Sequence, residues 1–229
     1  MGLLLRSRAS LRVAAVALVA LVVSASTAAA VGLRSPQVPF NSGALQAYFV
    51  GVGEVFNVTT AQADVQVWSV NIPGTSDFTL TLKNGASDEI GVYNSWDPVP
   101  ALFRVFPSAA TAGWYAVLHF ASGNLKVSLF DGGDNFQGQV THLGVDPNSF
   151  GFYIKNTNGT FFSQDGRSGG PQVLTYAGVV AAGDWWLCFE DAPYNALTSL
   201  FDSAVLSIQS VRPTPARARS WGSVKTLYH

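Results

Sequence analysis

The sequence predicts an all-β protein, an antiparallel two-sheet β-sandwich of jelly-roll type. Short runs rich in Val, Phe, Tyr, Thr and Trp recur between Gly, Pro, Asn and Asp from residue 44 to residue 211. Several runs alternate apolar and polar residues, as at Phe78, Leu80 and Leu82. One face of such a strand is expected to be buried and the other exposed to solvent. That alternation is typical of antiparallel sheets. About a dozen short strands in one body favour a sandwich.

Turn residues separate the predicted strands. The clearest hairpin is Asn158-Gly159, because both residue types tolerate the positive φ that a tight turn requires. No run between residues 44 and 211 has the spacing of an amphipathic helix. The predicted strands are Ala47–Phe56, Val65–Val70, Phe78–Leu82, Glu89–Tyr93, Leu102–Phe106, Trp114–Phe120, Leu125–Phe130, Ser149–Lys155, Thr160–Ser163, Gln172–Tyr176, Asp184–Phe189 and Ser203–Ser210.

Residues 1–30 have the features of a secretory signal peptide. Arg6, Arg8 and Arg12 form a basic region, Val13–Val23 is apolar, and three alanines end at Ala30. The apolar run is too short for a membrane span, which needs about 20 residues. We therefore expect Sec-type export with cleavage near Ala30, and a protein that is secreted or lies at the cell surface. No later segment is apolar for long enough to span a membrane.

The charge distribution bears on domains and partners. Removing residues 1–30 leaves all 14 acidic residues but only ten of the 13 basic ones, a net charge of −4. Four of those ten follow residue 211, so residues 31–211 carry six basic residues and a net charge of −8. Nucleic acid is therefore not an expected partner, because phosphate backbones repel an acidic body. We assign 31–211 to one β-sandwich domain and 212–229 to a Pro/Arg linker and a short tail.

Cys188 is the only cysteine, so the chain has no intrachain disulfide. It lies in Trp185–Phe189, a run that is apolar on both faces and therefore predicts an inner strand with Cys188 buried. The chain contains no G-x-S-x-G, H-E-x-x-H, paired C-x-x-C or phosphate-binding glycine loop. We therefore expect a protein that is not an enzyme.

Two kinds of side chain remain as candidates for a binding site. Carboxylates in loops and at strand ends suit Ca²⁺, which takes six to eight oxygen ligands from flexible loops, although such residues are also common as solvated turn residues. Trp96 lies in the loop-like stretch Asn94–Pro98 and is suited to stacking on a sugar ring, whereas most aromatic residues of a sandwich fill its core. The candidate carboxylates are Asp131, Asp134, Asp146, Asp165, Glu190, Asp191 and Asp202.

The order of several segments between Phe78 and Val211 resembles a known family. The matching segments are Gly91–Tyr93, Val105–Gly113, Ser149–Tyr153, Phe161–Asp165, Val173–Tyr176, Trp186–Tyr194 and Phe201–Val211. They are similar to the secreted bacterial domain of unknown function 4114, which is common in proteins that carry a PEP-CTERM sorting signal. The resemblance implies a β-sandwich that is exported to the cell surface or outer matrix and has no established activity.

The resemblance also singles out Glu190, Asp191 and Asp202 as a weakened Ca²⁺ ligand set. In the family an acidic segment of the form D-[FY]-[DN]-D follows F-E-D, whereas this chain has Leu200 and Ser203 at two of its acidic positions. The PEP-CTERM anchor itself is missing. Trp221–Tyr228 stands in its place, either as a frayed end or as a docking or sorting tail.

The sequence therefore predicts an exported, non-enzymatic structural or adhesive β domain of the bacterial cell surface or extracellular matrix. Its expected partners are surface polysaccharide or other matrix proteins. No cofactor is expected, with Ca²⁺ left open. The alternative is a carbohydrate-binding module that uses loop aromatics such as Trp96.

Overall fold

The computed structural model describes residues 32–35, 37–38, 43–71, 73–85 and 87–214. The predicted signal peptide, its cleavage site near Ala30 and the tail segment Trp221–Tyr228 lie outside the described residues. The described residues form two short helices and thirteen strands. These are α1 Gly43–Gly51, β1 Val67–Ser69, β2 Gly74–Lys83, β3 Glu89–Asn94, β4 Leu102–Phe106, β5 Tyr115–Ala121, β6 Asn124–Phe130, β7 Phe136–Leu143, β8 Phe150–Asn156, β9 Gly159–Phe162, α2 Asp165–Ser168, β10 Val173–Ala177, β11 Trp185–Phe189, β12 Ala204–Ile208 and β13 Arg212–Thr214.

All strand pairs are antiparallel, and the strands form two sheets. The seven-stranded sheet has the order β10-β11-β12-β2-β5-β6-β7. The six-stranded sheet has the order β13-β1-β8-β3-β4, and β9 also pairs with β8. Apolar side chains from both sheets form one continuous core cluster. The predicted antiparallel two-sheet sandwich is confirmed.

The alternating strands supply this core, with one exception: Leu82, predicted to share a face with Phe78 and Leu80, packs against a second apolar cluster, because the pairing of β2 with β12 shifts register between Val205 and Leu206. Phe78 and Leu80 of β2 are fully buried, and so is Leu125 of β6. Trp68 and Phe152 of the six-stranded sheet contact each other edge to face from strands β1 and β8. Burying aromatic and aliphatic side chains of this size contributes about 1.5–3 kcal/mol each, so the layer between the sheets dominates the stability of the fold.

β11 is an inner strand with two buried faces, as its sequence predicts. Leu187 and Phe189 face the core between the sheets. Cys188 and Trp186 belong to a second apolar cluster on the outer side of the seven-stranded sheet. Cys188 is a free, buried cysteine, in agreement with its predicted role as a small hydrophobe.

The predicted strand Ala47–Phe56 is wrong, because Gly43–Gly51 forms helix α1. The run is rich in Tyr, Phe and Val, which favoured a strand, but Leu45 and Phe49 are buried four residues apart, as on one face of a helix. Phe49 packs against Tyr176 of β10 and Trp186 of β11, with ring centroids 5.6 and 5.4 Å away. The helix is stabilised because its apolar side chains are buried against the outer face of the seven-stranded sheet.

Two strands are absent from the predicted set. β7 escaped prediction because Phe136–Leu143 mixes two glutamines, a glycine and a histidine with its apolar residues, and most of it is exposed. Arg212–Thr214, assigned to the linker, forms β13, which pairs with β1 at the edge of its sheet. Pro213 lacks a backbone N–H, and an edge position tolerates that loss.

The predicted β8–β9 hairpin is confirmed, but its two turn residues are Thr157 and Asn158, and Gly159 is the first residue of β9. Asn156 pairs with Gly159 in the β8–β9 ladder, and Gly159 has a φ of 144°, which a side chain would strain. Among the described residues, no helix has both the length and the apolar composition that crossing a membrane requires.

Candidate functional site

Trp96 projects from the loop that joins β3 to β4. Its side chain is 63% exposed, unlike Trp68 and Trp185, which are buried in the core. The indole Nε1 donates a hydrogen bond to Asp146 Oδ2 at 2.9 Å. Asp146 lies in the neighbouring β7–β8 loop, so one polar contact fixes the ring while its apolar surface stays in water. A fixed, exposed indole is suited to stacking on an apolar ring face.

The carboxylate that holds Trp96 is itself fixed. Asp146 N donates to Asn94 Oδ1 at 2.7 Å, and Asn148 N donates to Asp146 Oδ1 at 2.9 Å. Asn94 is the last residue of β3 and is buried. The geometry of the loop pair is therefore set by the end of a strand.

Arg167 holds the Trp96 loop in place, or braces it, through hydrogen bonds to its backbone. Its guanidinium donates to the carbonyls of Ser95 and Asp97, both at 2.7 Å. The same group lies over the rings of Tyr93 and Phe162, 5.2 and 5.9 Å from their centroids. No local pattern around Arg167 predicts this role, because the two carbonyls that it reaches lie some 70 positions away in the chain.

Helix α2, which carries Arg167, is anchored beside a cavity of about 360 Å³. Buried Arg34 forms an ion pair with Asp165, 2.7 Å from Nη1 to Oδ2. Gln66 accepts a hydrogen bond from Asp165 N at 3.1 Å. These contacts hold α2 against the segment that precedes β1, and so position Arg167 under the Trp96 loop.

The carboxylates Glu190, Asp191 and Asp202 lie together at one end of the sandwich, but they make different contacts. Glu190 Oε2 accepts hydrogen bonds from the backbone N–H groups of Leu200 and Phe201, at 2.9 and 3.2 Å. Burial raises the pKa of Glu190, with the nearby charge of Asp191 acting in the same direction. The Glu190 carboxylate therefore closes the β11–β12 loop.

Asp191 contacts residues of both sheets. Its Oδ1 accepts a hydrogen bond from Ser203 Oγ at 2.8 Å, and its Oδ2 accepts one from Asn156 Nδ2 at 3.1 Å. Burial raises the pKa of Asp202, and Asp191 adds to that shift. Among the described residues, no three Asp, Glu, His or Cys side chains converge in a group able to hold a metal ion.

Asp88 is the member of this cluster that the sequence analysis missed. It lies just before β3, is 1% exposed, and accepts a hydrogen bond from Asn156 Nδ2 at 3.0 Å. Burial raises the pKa of Asp88, and the Asp191 charge raises it further. A lone Asp after a turn looks like a solvated residue in the sequence, so no local signal distinguishes it.

No family model matches the chain, and neither a curated protein nor a solved structure is significantly similar to it. The resemblance to the secreted domain of unknown function 4114 therefore stays an expectation from the segments that carry it.

Proposed function

We propose that this chain is an exported, non-enzymatic β-sandwich of the bacterial cell surface or extracellular matrix, and that its role is adhesive. One observation supports an adhesive role over a purely structural one: the Trp96 indole is 63% exposed and is fixed by Asp146. A large apolar ring in water is unfavourable, so a ligand that covers the ring face gains binding free energy from burying it. The signal-like residues 1–30 support the export part of the proposal.

The narrower form of this proposal is a carbohydrate-binding module with surface polysaccharide as its partner. Sugar rings have apolar faces that stack on indole and hydroxyl groups that need acceptors. The Trp96 loop offers both, because the Asp146 carboxylate contacts the indole and Asp97 is the next residue of the loop. Arg167 keeps the loop in one conformation, so binding loses little conformational freedom.

A glycan array probed with the purified protein tests the adhesive role. We expect binding to at least one polysaccharide, and Trp96→Ala is expected to weaken that binding about tenfold or more, which corresponds to about 1.4 kcal/mol. Val99→Ala is the matched control, since Val99 is 85% exposed in the same loop and should leave affinity unchanged. The absence of any glycan binding, or equal binding by Trp96→Ala, would remove this proposal.

The export part has its own test, which does not depend on a ligand. Mass spectrometry of the protein recovered from its native host should place the mature N-terminus near residue 31. Finding residues 1–30 on the mature protein would contradict export with cleavage.

A further inference from the structure

The cavity of about 360 Å³ beside helix α2 is formed by residues that precede β1 and by residues of α2 and the chain that follows it. Ligand pockets in proteins have volumes of about 300–1,000 Å³, so this cavity has room for one small ligand. The side chains that line it include Arg34, Gln37, Asp64, Gln66, Asp165 and Tyr194.

Contacts within the fold hold the walls of the cavity in place. Buried Gln62 accepts a hydrogen bond from Val38 N at 2.8 Å and donates one to Val38 O at 3.0 Å. Arg34 N donates to the Gln62 carbonyl at 2.8 Å, and the Arg34 guanidinium pairs with Asp165. The cavity is therefore preformed, and a ligand that enters it loses little free energy to ordering of the protein.

The side chains that line the cavity carry one positive and two negative charges. Asp165 neutralises the guanidinium of Arg34, at 2.7 Å from Nη1 to Oδ2. Asp64 is exposed, and its Oδ1 accepts a hydrogen bond from Gln66 Nε2 at 3.2 Å. The charge that remains is negative, so the cavity repels phosphate, sulfate and carboxylate groups.

Hydrogen-bond donors and acceptors lie side by side in the lining. The amides of Gln37 and Gln66 supply both, and the carboxylates accept. Arg34 Nε and Gln37 Oε1 are buried without a hydrogen-bond partner among the described residues, so the lining side chains retain hydrogen-bonding capacity that the fold does not use. Half-buried Tyr194 adds an aromatic ring with apolar faces. Hydroxyl groups both donate and accept, whereas an ammonium group only donates, so a neutral ligand with several hydroxyl groups matches this lining best.

We propose that this cavity binds one neutral sugar residue, whose ring carries hydroxyl groups around an apolar face. The inference shares its class of ligand with the proposed function, but it names a second site built from other residues. Asp165 of α2 lines the cavity, whereas Arg167 of the same helical turn holds the Trp96 loop. Helix α2 therefore contributes to both sites.

Titration with the methyl glycosides of glucose, galactose and mannose, followed by saturation-transfer NMR, tests the cavity. We expect at least one of these sugars to bind, and the corresponding uronic acid to bind at least about tenfold more weakly because its carboxylate is repelled. Ser35→Trp should abolish binding, since Ser35 is exposed at the cavity and a large ring there fills it. Asp64→Ala removes an acceptor and should weaken binding about tenfold. Asp77→Ala is the matched control, because Asp77 is exposed on β2 and should leave binding unchanged.

The proposal is overturned if none of the three sugars binds at about 10 mM, or if neither Ser35→Trp nor Asp64→Ala weakens the binding. Loss of the sugar signal in Trp96→Ala would place the sugar at Trp96 and would also overturn it. A glycan array without binding that depends on Trp96 removes the adhesive role but leaves this site intact, so the two proposals fail separately.

A disaccharide with the bound sugar at its non-reducing end identifies the source of the ligand. Binding as tight as that of the methyl glycoside assigns the cavity to the end of a polysaccharide chain. Binding that is at least about tenfold weaker assigns it to a free sugar.

Discussion

Burial raises the pKa of three carboxyl groups near Asp191, those of Asp88, Glu190 and Asp202. Each group thus binds its proton more tightly in the folded chain than in the unfolded chain. The stabilisation that this provides is complete below the unfolded-state pKa, near 4, and is lost as the pH rises through the folded-state pKa. Asp131 has a lowered pKa because it accepts backbone hydrogen bonds. Its contribution to stability is complete above the unfolded-state pKa and is lost only as the pH falls below about 4.

The free energy of unfolding should therefore decrease as the pH rises above about 4, the ordinary carboxyl pKa. Asp88→Asn removes one of the three titrating groups and should flatten that dependence. Denaturant unfolding at several pH values measures it. An equally steep dependence in Asp88→Asn would mean that Asp88 does not titrate in this window.

Glu54 is a second residue whose importance depends on distant contacts. It is 3% exposed, and its carboxylate accepts hydrogen bonds from Val179 N at 2.8 Å and Trp186 Nε1 at 2.9 Å. Its own N–H donates to the carbonyl of Phe49 at the end of α1. Glu54 thus joins the end of the helix, through its backbone N–H, to the β10–β11 hairpin, through its carboxylate.

Glu54→Ala should lower the free energy of unfolding by about 1–3 kcal/mol, because it leaves two partly buried donors without an acceptor. Denaturant unfolding followed by tryptophan fluorescence provides the measurement. Asp77→Ala changes an exposed acidic residue and should stay within about 0.5 kcal/mol of the wild type. A loss of similar size in both variants would show that the two hydrogen bonds contribute nothing specific.

At the scale of elements, strands with clear alternation were predictable and marginal elements were not. β6 and the part of β2 before Leu82 follow from alternation within their own residues, and the β8–β9 hairpin follows from the positive φ of Gly159. α1 and β7 were not predictable in this way. The helix depends on a sheet face made by later residues, and β7 has few buried side chains to mark its period.

Phe49→Ala should destabilise the protein by about 3–5 kcal/mol, because it opens a cavity between α1 and the seven-stranded sheet. Val50→Ala is the control within the same helix, since Val50 is 65% exposed. Urea unfolding of both variants measures the difference. If Phe49→Ala costs no more than Val50→Ala, the helix contributes little to the fold.

The two apolar clusters of the whole molecule share strands. β11 places Leu187 in the core between the sheets and Cys188 in the cluster under α1. Unfolding of either cluster therefore exposes one apolar face of β11 to water. Burial raises the pKa of the Cys188 thiol, and the thiol should not react in the folded protein.

We therefore expect both clusters to unfold in one transition. Pulse labelling of Cys188 with a thiol reagent, across a guanidinium chloride series, should give the same midpoint as tryptophan fluorescence. Labelling at a lower denaturant concentration would show instead that α1 detaches as a separate unit.

The sequence by itself determined the all-β class, most strands, the burial of Cys188 and the exposure of Trp96, because these depend on alternation and turn chemistry within a few residues. Only the tertiary structure decided that α1 is a helix, that Arg167 braces the Trp96 loop and that the Asn156 amide donates to both Asp88 and Asp191. Each of these depends on contacts between residues far apart in the chain. Local patterns do not encode which loops meet, because that follows from the order in which the strands pair.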